Sequence, residues 1–257
     1  MKVVILCGGK GSRMGATNYD AKALVEIGGR PILWHIMKIY AAYGHADFVL
    51  TLGHGAGAIR RYFLEYEPMT RDFTLHLGKS HELLYHGKNS EENWRITLAD
   101  TGLETNKGAR VAKVLPYLNG ERFALTYGDG VGNIDLDGLL AFHKSHGRLA
   151  TVTGYQPFSQ YGIMRIDNEG RVTGFEEKPP LLDWINAGFM VFEPGMADYL
   201  QGDDTLDLEK EVLVHLAHDG QLMVYQHDGF WRSMDTFKEA QELDQLWAEG
   251  APWKVWR

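Results

Sequence analysis

The sequence predicts an α/β fold built on a mostly parallel sheet with an inserted β-ribbon. Short apolar runs at residues 3–6 and 48–52 have the length and composition of buried parallel strands. Segments with apolar residues at helical spacing alternate with these runs, which is typical of βαβ units. Residues 72–101 instead contain short β-rich pieces separated by charges and turn residues, which favours an antiparallel ribbon.

The first third of the chain predicts one βαβ unit. The strand at residues 3–6 runs into a glycine-rich turn, and Pro31 begins a helix that Gly44 ends. The apolar positions of this helix recur at helical spacing: Ile32, Leu33, Ile36, Ile39 and Tyr40. A second strand follows at 48–52, and a helix passes through Ile59, Tyr62 and Phe63.

The middle of the chain predicts a ribbon and then a strand that ends at an acidic turn. Residues 73–77 and 96–98 are assigned to the ribbon, and helical spacing resumes near Val111. The strand at 123–127 runs into Gly128-Asp129-Gly130. Ligands gather at the carboxyl ends of parallel strands, so we expect Asp129 to face whatever the first loop binds. The alternative is an ordinary turn.

The last part of the chain predicts further elements of both kinds. Helices are expected at 136–146, 206–216 and 237–249, strands at 150–155 and 189–192, extended segments at 222–225 and 229–231, and a hairpin from 163–166 and 171–175. Asp235 or Thr236 could cap the last helix. Capping is therefore the alternative to a functional role for Asp235.

Composition limits the possible functions. The chain has 257 residues, is 44% hydrophobic and carries a net charge of −8, which argues against nucleic-acid or membrane partners and favours a small ligand held by local cations. Its single cysteine, Cys7, excludes an internal disulfide and is expected to be a small buried side chain. We expect neither a signal peptide nor a membrane span, and hence a cytoplasmic protein.

The segment Leu6-Cys7-Gly8-Gly9-Lys10-Gly11-Ser12-Arg13 is the strongest candidate for ligand binding. Its three glycines let the backbone approach a ligand, and successive N–H groups can form a nest for phosphate. Lys10 and Arg13 add two cations, which suits a polyphosphate. It matches neither the Walker loop, because its lysine precedes the last glycine, nor the dinucleotide fingerprint, because Met14 replaces a glycine. The alternative is a plain strand-to-helix turn.

Two aspartates and two lysines extend this candidate site. Asp129 and Asp235 follow predicted strands, and Lys22 and Lys178 lie on loops that should face the same edge. Two carboxylates without histidine or cysteine partners select a hard ion such as Mg²⁺, which typically accompanies phosphates. The set predicts phosphoryl or nucleotidyl transfer. His143 and His146 are three residues apart but lack a third ligand nearby, which argues against zinc.

These motifs also resemble those of a known protein family. Nearly the whole chain is similar to the sugar-1-phosphate nucleotidyltransferase family, above all to its members that use CTP. The matching segments come in the family's order at residues 25–36, 126–131, 177–179, 227–231, 234–236 and 251–256. The resemblance implies a Rossmann-like three-layer nucleotidyltransferase fold with a mostly parallel mixed sheet and an inserted ribbon. It also implies one domain over 1–257, with a nucleotide-binding half to about residue 135, and a homo-oligomer, either a trimer or a hexamer.

The reaction that the resemblance implies is the attack of glucose 1-phosphate on the α-phosphorus of CTP, with Mg²⁺, giving CDP-glucose and pyrophosphate. The residues carried over as catalytic are Arg13, Lys22, Asp129 and Asp235, of which the two aspartates hold the metal. Those near the nucleotide are Leu6, Cys7, Gly8, Gly9, Lys10, Gly11, Ser12, Arg13, Lys22, Thr105, Arg110 and Gly128. Those near the sugar phosphate are Gly162, Glu177, Lys178 and Asn186.

The sequence departs from the family pattern at several of these positions. Lys22 stands between Ala21 and Ala23, where the family has prolines, and Ser12 replaces a threonine. Residues 106–110 and 181–184 also differ, near the expected base and sugar. Three alternatives therefore stay open: another phosphorylated or phosphonate acceptor, UTP or dTTP as donor, and a catalytically silent nucleotide-binding regulator.

Overall fold

The computed structural model describes residues 1–9, 21–78, 82–88, 91–159 and 161–256. The strands in this part of the chain are β1 (Lys2–Leu6), β2 (Glu26–Ile27), β3 (Arg30–Pro31), β4 (Asp47–Leu52), β5 (Phe73–His76), β6 (Glu82–Tyr85), β7 (Arg95–Asp100), β8 (Phe123–Tyr127), β9 (Gly130–Gly132), β10 (Ala150–Tyr155), β11 (Ile163–Ile166), β12 (Val172–Glu176), β13 (Ile185–Asn186), β14 (Met190–Phe192), β15 (Leu222–His227) and β16 (Trp231–Ser233). The helices are α1 (Ile32–Ala42), α2 (Ala56–Leu64), α3 (Tyr66–Thr70), α4 (Lys107–Val114), α5 (Leu136–His146), α6 (Leu213–His218) and α7 (Phe237–Ala248).

One large mixed sheet organises the molecule. Its strands lie in the order β7, β4, β1, β8, β14, β10 and β15, and β13 pairs with the far end of β10. Strands β7, β4, β1 and β8 are parallel, whereas β14 runs antiparallel to both of its neighbours. In this register Leu6 lies beside Thr51 of β4 and Tyr127 of β8. The loops that follow β1, β4 and β8 therefore open at the same edge of the sheet.

Helices cover both faces of this sheet, as the alternation along β1 requires. Val3 and Ile5 pack with α1, α5 and α7 in one apolar core, and Val4 and Leu6 pack with α4 and α6 in the other. A strand buried on both faces reads as a continuous apolar run, and β1 has that pattern. The three-layer α/β fold with a mostly parallel mixed sheet is confirmed.

Most of the predicted elements are confirmed, and one segment was assigned wrongly. Strands β5 and β6 form the inserted antiparallel ribbon, but Arg95–Asp100 is a parallel strand of the main sheet beside β4. This strand lies at the edge of the sheet, where only part of each face is covered, and charged residues flank it. Its sequence therefore lacks the continuous apolar run that is typical of a buried parallel strand.

The segment predicted as a helix at 206–216 is more irregular than its spacing indicates. A π-helical turn at Leu208–Val212 precedes the α-helix, and Asp207 caps this turn through the amides of Glu209 and Lys210. The apolar spacing alone does not distinguish a π-helical turn from an α-helix, because over a single turn both place residues four apart, here Leu208 and Val212, on nearly the same face. No helix in the described part of the chain combines the length and apolar character that spanning a bilayer requires.

Candidate active site

A cleft of about 710 Å³ opens at the carboxyl edge of the parallel strands. Its walls come from the ends of β1, β8 and β13, from the start of α4 and from the segment around β16. The lining residues include Leu6, Cys7, Gly8, Gly9, Lys22, Thr105, Lys107, Arg110, Tyr127, Gly128, Asp129, Asn186, Trp231 and Asp235. The cleft thus contains many of the residues that the sequence predicts for the site.

A short antiparallel pair brings the two aspartates together. Strand β9 begins directly after Asp129 and pairs with β16, which ends two residues before Asp235. The main-chain N–H of Met234 also donates to the carbonyl of Asp129 at 2.8 Å. Two carboxylates that are far apart in sequence therefore share one end of the cleft, as we expected from their positions after strands.

Thr236, and not Asp235, caps helix α7. The amide of Glu239 donates to Thr236 Oγ1 at 3.3 Å, and Glu239 Oε2 accepts from the amides of Thr236 and Asp235 at 2.7 Å each. This is a capping box, which satisfies the first N–H groups of the helix. The side chain of Asp235 is thereby left for the cleft, so the capping alternative for Asp235 is wrong.

Lys22 places its ammonium between the two carboxylates. Its Nζ lies 2.7 Å from Asp129 Oδ2 and 2.7 Å from Asp235 Oδ1. Burial lowers the pKa of Lys22, but the charges and hydrogen bonds of the two aspartates outweigh it and raise that pKa above its ordinary value. Ala21 and Ala23, which stand where the family has prolines, are both buried. Core packing thus supports this lysine on both sides.

The two carboxylates fit a small divalent cation. Because both oxygens lie 2.7 Å from one nitrogen, they are at most twice that distance apart, and they point at a shared cation position. Mg²⁺ takes oxygen ligands at about 2.0–2.1 Å and often uses only one or two carboxylates plus substrate phosphates. Among the described residues no group of three or more potential ligands occurs, and two carboxylates suffice for an ion that arrives on a nucleotide.

The glycine-rich segment is described only as far as Gly9. Lys10, Gly11, Ser12 and Arg13 lie outside the described residues, so their predicted contacts stay predictions. An added Cβ at Gly8 would lie 2.4 Å from Arg110 Nη1. Gly8 is therefore required by packing, and both Gly8 and Gly9 line the cleft.

Cys7 lines the cleft as a buried neutral thiol. Burial raises its pKa to about 12, and its Sγ donates to the carbonyl of Thr51 at 3.5 Å. A thiol with so high a pKa is not nucleophilic at neutral pH. This agrees with the expectation that Cys7 is a packing residue and that the site does not use a covalent cysteine intermediate.

Arg110 ties together three of the loops that form the cleft. Its guanidinium is almost fully buried, with 4% of the residue exposed, and it donates five hydrogen bonds of 2.6–3.2 Å. The acceptors are the carbonyls of Gly8, Leu52, Gly102 and Leu103 and the hydroxyl of Thr101. These bonds use the donors that a direct phosphate contact would need, so the geometry favours a role in shaping the nucleotide loops.

Thr105 and Gly128 are also held by neighbouring chain segments. Thr105 Oγ1 donates to the carbonyl of Thr101 at 2.6 Å and accepts from Lys113 at 3.1 Å. An added Cβ at Gly128 would lie 2.9 Å from the carbonyl of Leu6. Close packing of β8 against β1 therefore explains this glycine without reference to a ligand.

The residues expected near the sugar divide into two groups. Asn186 lines the cleft, but Gly162, Glu177 and Lys178 are not among the lining residues and lie at the base of the hairpin formed by β11 and β12. This base joins the end of β10 through main-chain bonds between residues 157–159 and 179–181. Lys178 has a φ of 49°, a strained left-handed conformation of the kind that concentrates at functional sites.

Three polar residues at the cleft carry no functional signal in the sequence: Lys107 and Tyr127, which line it, and Glu209, which contacts both. Tyr127 is part of the segment at 126–131, yet nothing in its spacing indicates what it contacts. The Glu209 carboxylate accepts from Lys107 and Tyr127, which are 102 and 82 residues away. Such contacts have no local signal in a sequence.

Two histidines that the sequence singled out contact the same hydroxyl. His143 Nδ1 and His146 Nε2 each lie 2.7 Å from Thr151 Oγ1. His143 is buried, and desolvation lowers its pKa to about 4. At neutral pH this ring is uncharged and packs between α5 and β10.

Comparisons with known proteins agree with this geometry. Residues 2–246 match the nucleotidyl transferase family. The chain is 44% identical to a probable glucose-1-phosphate cytidylyltransferase of Bacillus subtilis (strain 168) and 41% identical to the glucose-1-phosphate cytidylyltransferase of Salmonella typhimurium (strain LT2), in each case over 100% of both chains. A solved structure of a putative glucose-1-phosphate thymidylyltransferase from Bacillus anthracis superposes with a TM-score of 0.68 at 17% identity, covering 96% of this chain and 94% of that one. This last likeness concerns the fold.

The Lys22 ion cluster predicts a specific loss of stability. Replacing Lys22 by Met leaves Asp129 and Asp235 without their shared cation, and we expect the free energy of unfolding to fall by about 1–2 kcal/mol. This is less than the ~3–5 kcal/mol for a fully buried pair because both aspartates are partly exposed. Since the pKa of Lys22 is raised on folding, this contribution is present below pH 10.5 and declines as pH rises above that value. Urea unfolding at several pH values measures it, with Lys238→Met, which breaks an exposed pair with Glu242, as the matched control. An equal loss in both variants would contradict the special role of Lys22.

Arg110 predicts a second and larger loss of stability. Arg110→Met removes one donor group from five acceptors, several of them buried, and we expect the free energy of unfolding to fall by about 3 kcal/mol or more. Arg110→Lys should restore only part of this loss, because an ammonium cannot span acceptors on three loops. Denaturant unfolding compares the three proteins. Full recovery by lysine would show that only the positive charge matters.

Proposed function

The chain belongs to the nucleotidyl transferase family, and from this membership we propose that it transfers a cytidylyl group from CTP to glucose 1-phosphate, forming CDP-glucose and pyrophosphate. The observation that carries the proposal is the full-length similarity to glucose-1-phosphate cytidylyltransferases. The cleft supports it, because Lys22, Asp129 and Asp235 converge in the same cleft that Gly8 and Gly9 line. None of these charged groups is missing, which argues against a catalytically silent regulator.

The proposed reaction is an in-line displacement at phosphorus. An oxygen of the glucose 1-phosphate attacks the α-phosphorus of CTP, and the bond from that phosphorus to the oxygen that bridges to the β-phosphate breaks. The electron pair leaves with pyrophosphate, so negative charge grows on the leaving group. The protein has to position two anions and neutralise their charge, and no covalent intermediate is needed.

In this proposal Asp129 and Asp235 hold Mg²⁺, which when bound neutralises phosphate charge. Lys22 supports the same task from the protein side, because its raised pKa keeps the ammonium charged at neutral pH. It would contact the α-phosphate or the attacking oxygen. A positive group fixed beside the reacting phosphorus stabilises the transition state more than the ground state if it is held in place beforehand.

The remaining proposed roles follow the positions in the sequence. The turn from Gly8 to Arg13 would surround the triphosphate, with Arg13 at the leaving pyrophosphate, and Leu6, Cys7 and Gly128 would form its floor. Thr105 and Arg110 would act on the nucleotide through the loops that they hold. Lys178 would bind the sugar phosphate, Glu177 and Asn186 the sugar hydroxyls, and Gly162 would lie under the ring.

We also propose that the protein is a cytoplasmic homo-oligomer, a trimer or hexamer. The single cysteine supports a reducing compartment. The β5–β6 ribbon supports self-association, because a two-stranded ribbon is marginally stable alone and several of its apolar side chains are exposed: Phe73, Leu75, Leu83 and Leu84.

A nucleotide panel tests the proposed donor. Purified protein with glucose 1-phosphate and Mg²⁺ should release pyrophosphate with CTP at least about tenfold faster than with UTP, dTTP, ATP or GTP, since a site that hydrogen-bonds one base rejects others strongly. Mass spectrometry should identify CDP-glucose, and EDTA should stop the reaction. A faster reaction with dTTP or UTP would show that this nucleotide, and not CTP, is the donor. Binding of CTP without release of its pyrophosphate in the presence of any acceptor would indicate the silent regulator.

Adjacent substitutions separate the role of Asp235 from that of the helix cap. Asp235→Asn should lower kcat by about a hundredfold or more, because it removes one electrostatic stabiliser, while leaving helix α7 capped. Thr236→Ala should lower the free energy of unfolding by about 1 kcal/mol, with a much smaller effect on kcat. Steady-state kinetics and urea unfolding on both variants measure the two effects separately. An active Asp235→Asn enzyme would remove Asp235 from the proposed metal site.

A further inference from the structure

A chain of polar contacts runs along one wall of the cleft from Lys107 to Asn186. The Lys107 ammonium pairs with Glu209 Oε1, and the same oxygen accepts from the Tyr127 hydroxyl at 2.7 Å. Asn186 Nδ2 donates to the Tyr127 oxygen at 2.9 Å. Three of these four residues, Lys107, Tyr127 and Asn186, line the cleft. The charge of Glu209 is thereby connected to an amide at the proposed sugar site.

The carboxylate of Glu209 determines which group donates and which accepts in the hydrogen bonds from Glu209 to Asn186. An ionised carboxylate can only accept hydrogen bonds, so the Tyr127 hydroxyl must donate to it. The Tyr127 oxygen is then free to accept from Asn186 Nδ2, while Asn186 Oδ1 accepts from the amide of Gly188 at 2.8 Å. The amide of Asn186 is therefore held in one orientation. One N–H and one lone pair stay available for a sugar hydroxyl.

Two features keep the Tyr127 hydroxyl as the donor to Glu209. Burial and the nearby Glu209 charge raise the pKa of Tyr127 well above its ordinary value, so the hydroxyl stays protonated. The Lys107 ammonium, which also lies 5.4 Å from the centre of the Tyr127 ring, pairs with the same Glu209 oxygen. The Tyr127 hydroxyl is therefore the donor in its contact with Glu209.

The backbone around Glu209 is built irregularly. Glu209 lies in the π-helical turn, and its amide donates to Asp207 Oδ1 at 2.9 Å. Turns of this type occur frequently at functional sites. Glu209 Oε2 is buried and has no hydrogen-bond partner among the described residues, which is energetically unfavourable. A carboxylate kept under such conditions is better explained by what it orients than by its contribution to stability.

We propose that Glu209 is a positioning residue for the acceptor sugar, acting through Tyr127 to fix the amide of Asn186 in the orientation that selects one sugar hydroxyl. The inference rests on the proposed function, in which Asn186 contacts the sugar. It assigns selectivity for the acceptor to a side chain that does not touch the substrate. It also separates acceptor recognition from the charge cluster of Lys22 and the aspartates.

Glu209→Gln tests the proposal with little change in shape. A glutamine can donate to the Tyr127 oxygen, so the Tyr127 hydroxyl can turn toward Asn186 Nδ2, and the amide then keeps only one of its two orienting bonds, the one from the Gly188 N–H. We expect the KM for glucose 1-phosphate to rise about tenfold, the equivalent of one hydrogen bond, with kcat and the KM for CTP within about twofold. Glu67→Gln, which removes a carboxylate from the Arg71 ion pair on α3, is the matched control and should change none of the three.

A double-mutant cycle distinguishes action through Tyr127 from a general structural effect. Tyr127→Phe removes the hydroxyl that links Glu209 to Asn186 and should also raise the acceptor KM about tenfold. The double variant should show about the same tenfold rise, whereas independent effects would multiply to about a hundredfold. Thermal unfolding of all variants identifies any that fail to fold, and only folded variants enter the cycle.

A panel of monodeoxy glucose 1-phosphates identifies the hydroxyl. The wild-type enzyme should discriminate strongly against one analogue, and Glu209→Gln should lose that discrimination while keeping the others. An active wild-type enzyme combined with an unchanged acceptor KM in the folded Glu209→Gln variant, or with multiplying effects in the cycle, would overturn this inference and leave the proposed function intact. A wild-type protein that transfers no nucleotide to glucose 1-phosphate would overturn both.

Discussion

The ammonium of Lys22 between Asp129 and Asp235 is the interaction on which the rest of the site depends. The three groups come from positions 22, 129 and 235 and meet at 2.7 Å distances. Two carboxylates this close repel each other in the absence of a cation. The fold therefore has to hold a positive charge at this point, from the lysine or from an ion that arrives with substrate.

Several separate parts of the fold make this meeting possible. The β9–β16 pair aligns the two acidic segments, and helix α7 is capped by Thr236 and not by Asp235. Buried alanines beside Lys22 hold the lysine at the base of the cleft. The protein carries a net charge of −8, so the proposed binding of a triphosphate depends on local cations and not on the overall charge.

The cleft separates two kinds of recognition. Around Lys22 the contacts are charged and lie at the carboxyl edge of the parallel strands, and they suit phosphates. Along the wall from Glu209 to Asn186 the contacts are directional hydrogen bonds, and they suit hydroxyl groups. A transferase that joins a nucleotide to a sugar phosphate needs both, because charge attracts both substrates while only directional bonds distinguish one sugar from another.

The sequence by itself determined the fold class, most of the longer helices and strands, and the candidates Lys22, Asp129 and Asp235, because apolar periodicity and residues that follow strands are local signals. It could not identify β7 as part of the main sheet, since the charges flanking an edge strand resemble those of a ribbon. Local pattern also left Asp235 open between a helix cap and a cleft residue. Only the tertiary structure decided that question, assigned the donors of Arg110 to loop carbonyls, and connected Glu209 to Asn186. The physical reason is that these outcomes depend on which distant groups share hydrogen bonds, and such pairings leave no trace in the spacing of residues along the chain.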